Sequence, residues 1–167
     1  GGITMNRAAA VFGIVFSIVL AADQLIKYWL LDKLSVVGEF SLWGGRLTVH
    51  LFPNAGIAFG IPIGGIWLVV LLSGVVALLL FLYFKYLRSD FPWSPLALGL
   101  VLGGAASNNL IDRLRFGYVI DYLDFHWFPV FNLADAAIVA GVIILLARII
   151  FWSEGKSRGE KEVSNKA

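Results

Sequence analysis

Four apolar segments constrain the fold of this chain more than any other feature. The run from Ile66 to Phe84 carries no charge and is long enough to cross the hydrocarbon core of a bilayer. Three further apolar segments run from about Ala8 to Leu31, from Leu96 to about Ile111 and from about Asn132 to Trp152. A hydrophobic content of 59% and a mean hydropathy of +0.85 are typical of membrane proteins. We therefore predict an α-helical membrane protein with four transmembrane helices.

The segment 32–65, between the first and second apolar segments, has a different composition. Its hydrophobic residues are interleaved with Gly, Ser and Thr, and Gly44-Gly45 is a hairpin-turn signal. We expect a small β-rich extracytoplasmic insert that lies on the membrane surface. Residues 1–4, ahead of Met5, resemble a tag remnant. Residues 5–153 then form a single membrane domain, and residues 154–167 form a polar cytoplasmic tail.

The distribution of Lys and Arg predicts the orientation in the membrane. With four spans both termini lie on one side, and that side carries eight of the 13 basic residues: Arg7, Lys85, Arg88, Arg148, Lys156, Arg158, Lys161 and Lys166. The bias favours cytoplasmic termini. The first segment has a rival interpretation as a cleavable signal peptide, because Arg7 precedes a short apolar core and Ala21-Ala22 follow it.

Composition also excludes several kinds of site. The chain has no cysteine, so disulfides, thiolate nucleophiles and cysteine metal sites are absent from its chemistry. His50 and His126 are far apart and show no metal-ligand spacing. A net charge of +2 without a clustered basic face argues against nucleic acid as a partner. We expect neither a metal nor an organic cofactor.

Two carboxylates, Asp121 and Asp135, are the candidates for chemistry. A carboxylate at or near a bilayer is expensive, so its presence suggests a functional site. The two are fourteen residues apart with Pro129 between them, so they do not share a helix face. If the third and fourth helices are antiparallel neighbours, the short connection brings both residues to the same end. Two carboxylates in contact could share a proton and activate water. Alternatively, each caps a helix or pairs with an arginine.

Five short motifs in a fixed order extend this interpretation. They are Asp23-Gln24-Leu25-Ile26-Lys27, Asn54-Ala55-Gly56-Ile57-Ala58-Phe59, Asn109-Leu110-Ile111-Asp112-Arg113, Val119-Ile120-Asp121 and Phe131-Asn132-Leu133-Ala134-Asp135. With four apolar segments, the chain resembles the bacterial lipoprotein signal peptidases (signal peptidase II), which are membrane aspartyl peptidases. The resemblance covers the chain from Met5 to about Phe151.

The resemblance implies cleavage of lipid-modified prolipoproteins just before the diacylglyceryl-cysteine, in the bacterial cytoplasmic (inner) membrane. It implies both termini in the cytoplasm, an outward-facing active site, contact with membrane lipids and inhibition by lipopeptides such as globomycin. Asp121 and Asp135 would be the catalytic pair. Residues that bind substrate or support the pair would be Asp23, Lys27, Asn54, Gly56, Asn109, Asp112, Arg113 and Asn132. The chain departs from the usual family pattern at Asn108, where Gly is usual, and at Ala136, where Ser is common.

Each supporting residue also has a simpler interpretation. Asp23 and Lys27 could be only an i,i+4 ion pair, and Asp112-Arg113 only a helix-end pair. Asn54 could be a turn former, and Asn132 could cap the fourth helix.

Two other functions compete with a peptidase. An ion-coupled carrier would also place carboxylates in a membrane, but carrier sites lie near the midplane, whereas these residues cluster at one end. A structural adaptor would leave the costly carboxylates unexplained.

Overall fold

A computed structural model describes residues 2–55 and 93–147. The predicted second span, the site candidate Gly56 and the polar tail lie outside the described residues. The described part contains three apolar helices and one three-stranded antiparallel sheet. Two of the helices, Arg7–Val37 and Ser94–Phe116, have the length and composition needed to cross a membrane, and Leu133–Ala147 is a shorter apolar helix.

The first helix, α1 (Gly2–Val37), is longer than the sequence predicted. Residues 32–37, which we expected in the β-rich insert, form its last turns because Leu34 is buried in the core beneath the sheet. The helix ends at Gly38, which has a φ of +77° and donates its N–H to the Leu34 carbonyl at 2.9 Å. A left-handed glycine at this position is a common helix terminator.

The second described helix, α2 (Ser94–Phe116), begins with Pro95 in its first turn and ends at Gly117, which has a φ of +81°. Its segment Ala106–Asp112 is π-helical. Such turns occur mostly inside α-helices and frequently at functional sites. The third helix is α3 (Leu133–Ala147), within the predicted fourth span.

The sheet has the order β1 (Glu39–Leu42), β2 (Leu47–Asn54) and β3 (Val119–Asp124). A 3₁₀ turn at Trp43–Gly45 joins the first two strands, as the Gly44-Gly45 signal predicts, because both glycines adopt positive φ. The third strand follows α2 and lay outside the predicted insert. It pairs with β2, and this register places Phe52 opposite Asp121 and Asn54 opposite Val119.

A small apolar core joins the sheet to the end of α1. Leu30 and Leu34 on the helix pack with Val49 of β2 and Tyr122 of β3, and all four are buried. Successive side chains of β3 point to opposite faces of the sheet, so neighbouring residues have different surroundings. Tyr122 enters this core, while the neighbouring Asp121 points toward the end of α3 where Asn132 and Asp135 lie.

Close helix packing fixes the position of α3 relative to α2. A Cβ at Gly103 would lie 2.8 Å from the Phe16 carbonyl oxygen of α1, and a Cβ at Gly104 would lie 2.5 Å from the Ala134 carbonyl oxygen of α3. Small residues permit such approaches between membrane helices. Gly104 therefore lets α2 touch α3 one residue before Asp135.

Candidate active site

A cleft of about 640 Å³ lies where α2, β3 and the start of α3 meet. Asp121 and Asp135 both line it, and they are accompanied by the polar residues Asn54, Asn108, Asn109 and Arg113. The remainder of the lining is mostly apolar and includes Phe128, Val130, Ile138, Val139 and Ile143. The site therefore combines two carboxylates with a wall suited to hydrocarbon.

Asn132 connects the two carboxylates of the cleft. Its side-chain amide donates to Asp121 Oδ1 at 2.7 Å, and its backbone N–H donates to Asp135 Oδ2 at 3.2 Å. The side-chain oxygen of Asn132 accepts from the backbone N–H of Asp135 at 2.9 Å. The last two contacts form a reciprocal cap at the start of α3. The structure thus brings Asp121 and Asp135 within reach of one fully buried asparagine.

Three different side chains cap the first three amides of α3. The Leu133 N–H donates to the Tyr122 hydroxyl at 3.1 Å, the Ala134 N–H to Asp23 Oδ1 at 3.2 Å and the Asp135 N–H to Asn132 Oδ1 at 2.9 Å. The first amides of a helix otherwise lack partners. The cap holds the backbone of Asp135 against residues of α1 and β3.

Asp121 is only 2% exposed and accepts a second hydrogen bond from the Asn54 amide, 2.9 Å from its Oδ2. Burial raises the pKa of Asp121 to about 7, and the nearby negative charge of Asp135 adds to that rise. The hydrogen bonds from Asn54 and Asn132 stabilise the carboxylate and act in the opposite direction. Asp121 can therefore hold or release a proton near neutral pH.

A buried ion cluster lies behind the cleft. The Lys27 ammonium lies 2.6 Å from Asp23 Oδ2 and 2.6 Å from Asp112 Oδ2, and it donates to Asn108 Oδ1 at 2.7 Å. Asp112 also accepts the backbone N–H of Ile120 at 3.0 Å, one residue before Asp121. The cluster thus ties α1 and α2 to the strand that carries Asp121.

The supporting residues predicted from sequence fall into two groups. Asn54, Asn109 and Arg113 line the cleft beside the two carboxylates, whereas Asp23, Lys27 and Asp112 form the cluster behind it. Asp23 and Lys27 form the predicted i,i+4 pair, but each also contacts residues outside α1. Asn132 caps α3 and contacts Asp121 as well.

Four polar residues of the site were not among the predicted site residues. Gln24 donates to Asp112 Oδ1 at 2.7 Å and to Ser107 Oγ at 2.9 Å, and Ser107 donates to Asp23 at 2.6 Å. Tyr122 and Asn108 complete this set. Gln24, Ser107 and Asn108 have one local signal, polarity inside an apolar segment, whereas Tyr122 lies on β3 and has no such signal.

His50 and His126 both approach Asp124 on the face of the sheet, although they are distant in sequence. The shortest separations are 3.3 Å from His50 Nε2 and 3.6 Å from His126 Nδ1 to Asp124 Oδ2. The backbone N–H of His126 donates to Asp124 and is the main cause of the lowered pKa of that carboxyl. Within residues 2–55 and 93–147, no group of three or more His, Cys, Asp or Glu residues has an arrangement that could hold a metal ion.

Comparison with known proteins identifies the family to which this architecture belongs. The sequence profile described as Signal peptidase (SPase) II matches residues 15–151. The chain belongs to the signal peptidase II family. Asn108 and Ala136, where the resemblance led us to expect other residues, both line the cleft.

Relatives and solved structures agree with this assignment. A lipoprotein signal peptidase of Moorella thermoacetica is 46% identical over 80% of this chain and 88% of its own length. The corresponding protein of Halothermothrix orenii is 38% identical over 86% and 96%. A bacterial membrane enzyme solved at 1.9 Å superposes with a TM-score of 0.71 and 25% identity, over 84% of this chain and 92% of the other. Another, solved at 2.3 Å, has a TM-score of 0.77 and 24% identity over 88% and 92%, and shows the same fold.

Proposed function

We propose that this membrane protein is an aspartic endopeptidase that removes the signal peptide from lipid-modified prolipoproteins, with Asp121 and Asp135 as its catalytic pair. The observation that carries the proposal is the meeting of these two carboxylates in one cleft, where Asn132 contacts both. Family membership and the relatives named lipoprotein signal peptidase support the substrate. The substrate is a diacylglyceryl-modified precursor cut just before the modified cysteine.

The chemistry requires one ionised and one protonated carboxyl group. The ionised carboxylate takes a proton from water, and the oxygen of that water attacks the scissile carbonyl carbon. The protonated carboxyl donates its proton to the carbonyl oxygen as the tetrahedral intermediate forms. When the C–N bond breaks, the leaving amine receives the proton first taken from water. As that bond breaks, the carboxylate left by the first donation takes a proton back from a hydroxyl of the gem-diol, so the products are a carboxylic acid and an amine and both aspartates return to their starting states.

The remaining cleft residues are assigned to substrate binding. Asn54 holds Asp121 through its 2.9 Å hydrogen bond, while Asn109 and Arg113 face the same space and would bind the substrate backbone. The apolar wall at Ile138, Val139 and Ile143 would accept acyl chains or the apolar signal helix. Lipopeptides such as globomycin would occupy the same cleft. Gly56, outside the described residues, is assigned to substrate binding by resemblance alone.

The proposed setting is the bacterial inner membrane, with four spans and the sheet on the outer surface. A single domain over residues 5–153 would hold the site, and residues 154–167 would be cytoplasmic. The cysteine-free sequence makes this testable by single-cysteine labelling. A cysteine at Ser41 should react with an impermeant thiol reagent outside the cell, and one at Ser157 should not. The reverse pattern would refute the orientation.

The catalytic assignment is tested by Asp121→Asn and Asp135→Asn. Asn is nearly isosteric but cannot exchange a proton, so each variant should lose at least about 10⁴-fold in kcat while still binding a lipidated substrate. Because the pair acts as a unit, the double variant should be little worse than either single variant. Cleavage is read by gel shift of a lipidated prolipoprotein with the purified protein in lipid.

Asp124→Asn is the matched control. Asp124 is on the same strand as Asp121, but it contacts His50 and the backbone of His126 and is not part of the cleft lining. This variant should retain substantial activity. Near-normal turnover by either Asp121→Asn or Asp135→Asn would refute the aspartyl mechanism.

A further inference from the structure

We propose that Asn108 is a positioning residue that relays the charge of Lys27 to Asp135 and thereby holds Asp135 as the ionised member of the pair. Asp121 is then the protonated member in the resting protein. The inference rests on the proposed function, because it assigns the roles of general base and general acid within that same site. Asn108 is 4% exposed and occupies the π-helical part of α2, between the ion cluster and the cleft.

The contacts of Asn108 determine which way its amide faces. The Lys27 ammonium can only donate, and it lies 2.7 Å from Asn108 Oδ1. The oxygen of the amide must therefore face Lys27, and its N–H₂ group must face the other way. That group donates to Asp135 Oδ1 at 2.8 Å. An N–H donor directed at a carboxyl oxygen stabilises the charged form of that carboxyl.

The second oxygen of Asp135 also faces a donor of fixed orientation. The backbone N–H of Asn132 lies 3.2 Å from Asp135 Oδ2, and its direction is set by the peptide plane. Asp135 is in addition in the first turn of α3, where the helix dipole favours negative charge. Each oxygen of Asp135 thus accepts a hydrogen bond, and both the ammonium behind Asn108 and the helix end favour ionisation.

Asp121 has a different environment. Its oxygens also accept from neutral amides, those of Asn132 and Asn54, but neither amide is one that accepts from Lys27 at a distance below 3 Å, and Asp121 lies on a strand instead of a helix end. The rise of its pKa to about 7 agrees with a carboxyl that keeps its proton beside an ionised neighbour. The pair is therefore asymmetric, and Asn108 contributes to the asymmetry from the Asp135 side.

The π-helical turn places Asn108 of α2 between the Lys27 ammonium and the Asp135 carboxyl group. In this segment Ser107 donates to Asp23, and Asp112 contacts Lys27, while Asn108 reaches Asp135. Three side chains of one segment thus face the same buried region. The relay needs a side chain at position 108 with an acceptor at one end and a donor at the other, which an asparagine supplies.

The test measures kcat and KM against pH for the full chain in lipid, with a lipidated prolipoprotein as substrate. Asn108→Ala should lower kcat about 10- to 100-fold, as expected for loss of a hydrogen bond to a charged group. KM should stay near the wild-type value. The acidic limb of the kcat profile should move to higher pH by about one unit, because the base loses a donor that favours its charged form.

Asn108→Asp separates the relay from simple packing. This variant keeps the side-chain shape and the acceptor for Lys27 but has no N–H₂ group, so its acidic limb should move at least as far as that of Asn108→Ala. Ser107→Ala is the matched control. It removes a buried polar group from the same turn, where Ser107 contacts Asp23 and Gln24. It should lower the melting temperature without moving the acidic limb.

The outcomes discriminate between the two proposals. If the acidic limb of the kcat profile stays at its wild-type pH in both Asn108 variants, the positioning role is overturned, even if the variants are less stable. An equal limb shift in Ser107→Ala would also overturn it, because the effect would then follow from destabilisation. Failure of the proposed function has a different signature, namely continued cleavage by Asp121→Asn or Asp135→Asn.

Discussion

Two pairs of aspartates lie side by side in this protein, three of the four buried and Asp135 partly buried, and they differ in what stands between them. Asp23 and Asp112 share the Lys27 ammonium, which is 2.6 Å from each. Asp121 and Asp135 share the neutral Asn132. An ammonium offsets the repulsion between the two aspartates of the first pair, whereas a neutral amide only moderates the repulsion in the second. The same residue type therefore holds an ion cluster together in one pair and, in the proposed mechanism, transfers protons in the other.

Removal of Lys27 should give the largest effect on stability. Lys27→Met would leave Asp23 and Asp112 buried without their counter-charge, and loss of one partner of a buried ion pair costs about 3–5 kcal/mol. The free energy of unfolding in detergent should fall by that order. Lys33→Met is the control, because Lys33 is on the same helix and exposed. Equal losses in the two variants would show that the ion cluster is not structural.

Loss of the proton held by the Asp121–Asp135 pair should be visible in the pH dependence of kcat/KM. Asp121, with a pKa raised to about 7, is protonated below that pH and is the acid of the proposed mechanism. Activity should therefore fall about tenfold per pH unit above pH 7, because the acid form is lost. Asp124→Asn should show the same limb as wild type. A profile that stays flat to pH 9 would contradict the assignment of Asp121.

Replacement of an aspartate by asparagine should change the free energy of unfolding in opposite directions in the two pairs. A carboxyl whose pKa is raised on folding stabilises the native state below its unfolded value, near 3.8, and that contribution is lost as pH rises through about 7. The asparagine of Asp121→Asn cannot ionise, so this variant does not lose stability as the pH rises through about 7. At pH 8 it should raise the free energy of unfolding by about 1 kcal/mol, since an unmatched amide donor cancels part of the gain.

Asp23→Asn is the counterpart, because it removes a carboxylate that lies against an ammonium. It should lower stability at pH 8. Thermal unfolding of both variants at pH 5 and pH 8 measures the contrast. If both variants are destabilised equally at pH 8, the two pairs do not differ in the way described.

A small effect is expected at Tyr122, which connects Asp23 of the first pair to the first amide of α3, the helix that carries Asp135. Tyr122 donates to Asp23 at 3.3 Å and accepts the Leu133 N–H, and burial raises the pKa of its hydroxyl. Tyr122→Phe should cost about 1 kcal/mol of stability, the usual value for one hydrogen bond. Tyr28→Phe, at an exposed tyrosine of α1, should cost nothing measurable. Equal melting temperatures for the two variants would show that the bonds of the Tyr122 hydroxyl to Asp23 and to the Leu133 N–H do not contribute to stability.

Features encoded within a few residues were open to prediction from the sequence. Apolar length indicates the membrane class, the Gly44-Gly45 pair predicts the hairpin turn, and Asn132 three residues before Asp135 is a helix-cap pattern. Each depends on local backbone chemistry. The end of α1 was placed too early, because the burial of Leu34 against the sheet extends the helix beyond its uncharged stretch.

The tertiary structure alone decided which polar groups meet when they are far apart in sequence. Lys27 and Asp112 are 85 residues apart, and Asp23 and the Ala134 N–H are 111 apart. Such contacts depend on how glycine-lined helices approach and on the register of β3 beside β2, and neither has a local signature. The sequence by itself therefore determined a membrane protein with two candidate catalytic carboxylates, Asp121 and Asp135. Packing decided that an ammonium neutralises one pair of aspartates, while the other pair has only amides between its members.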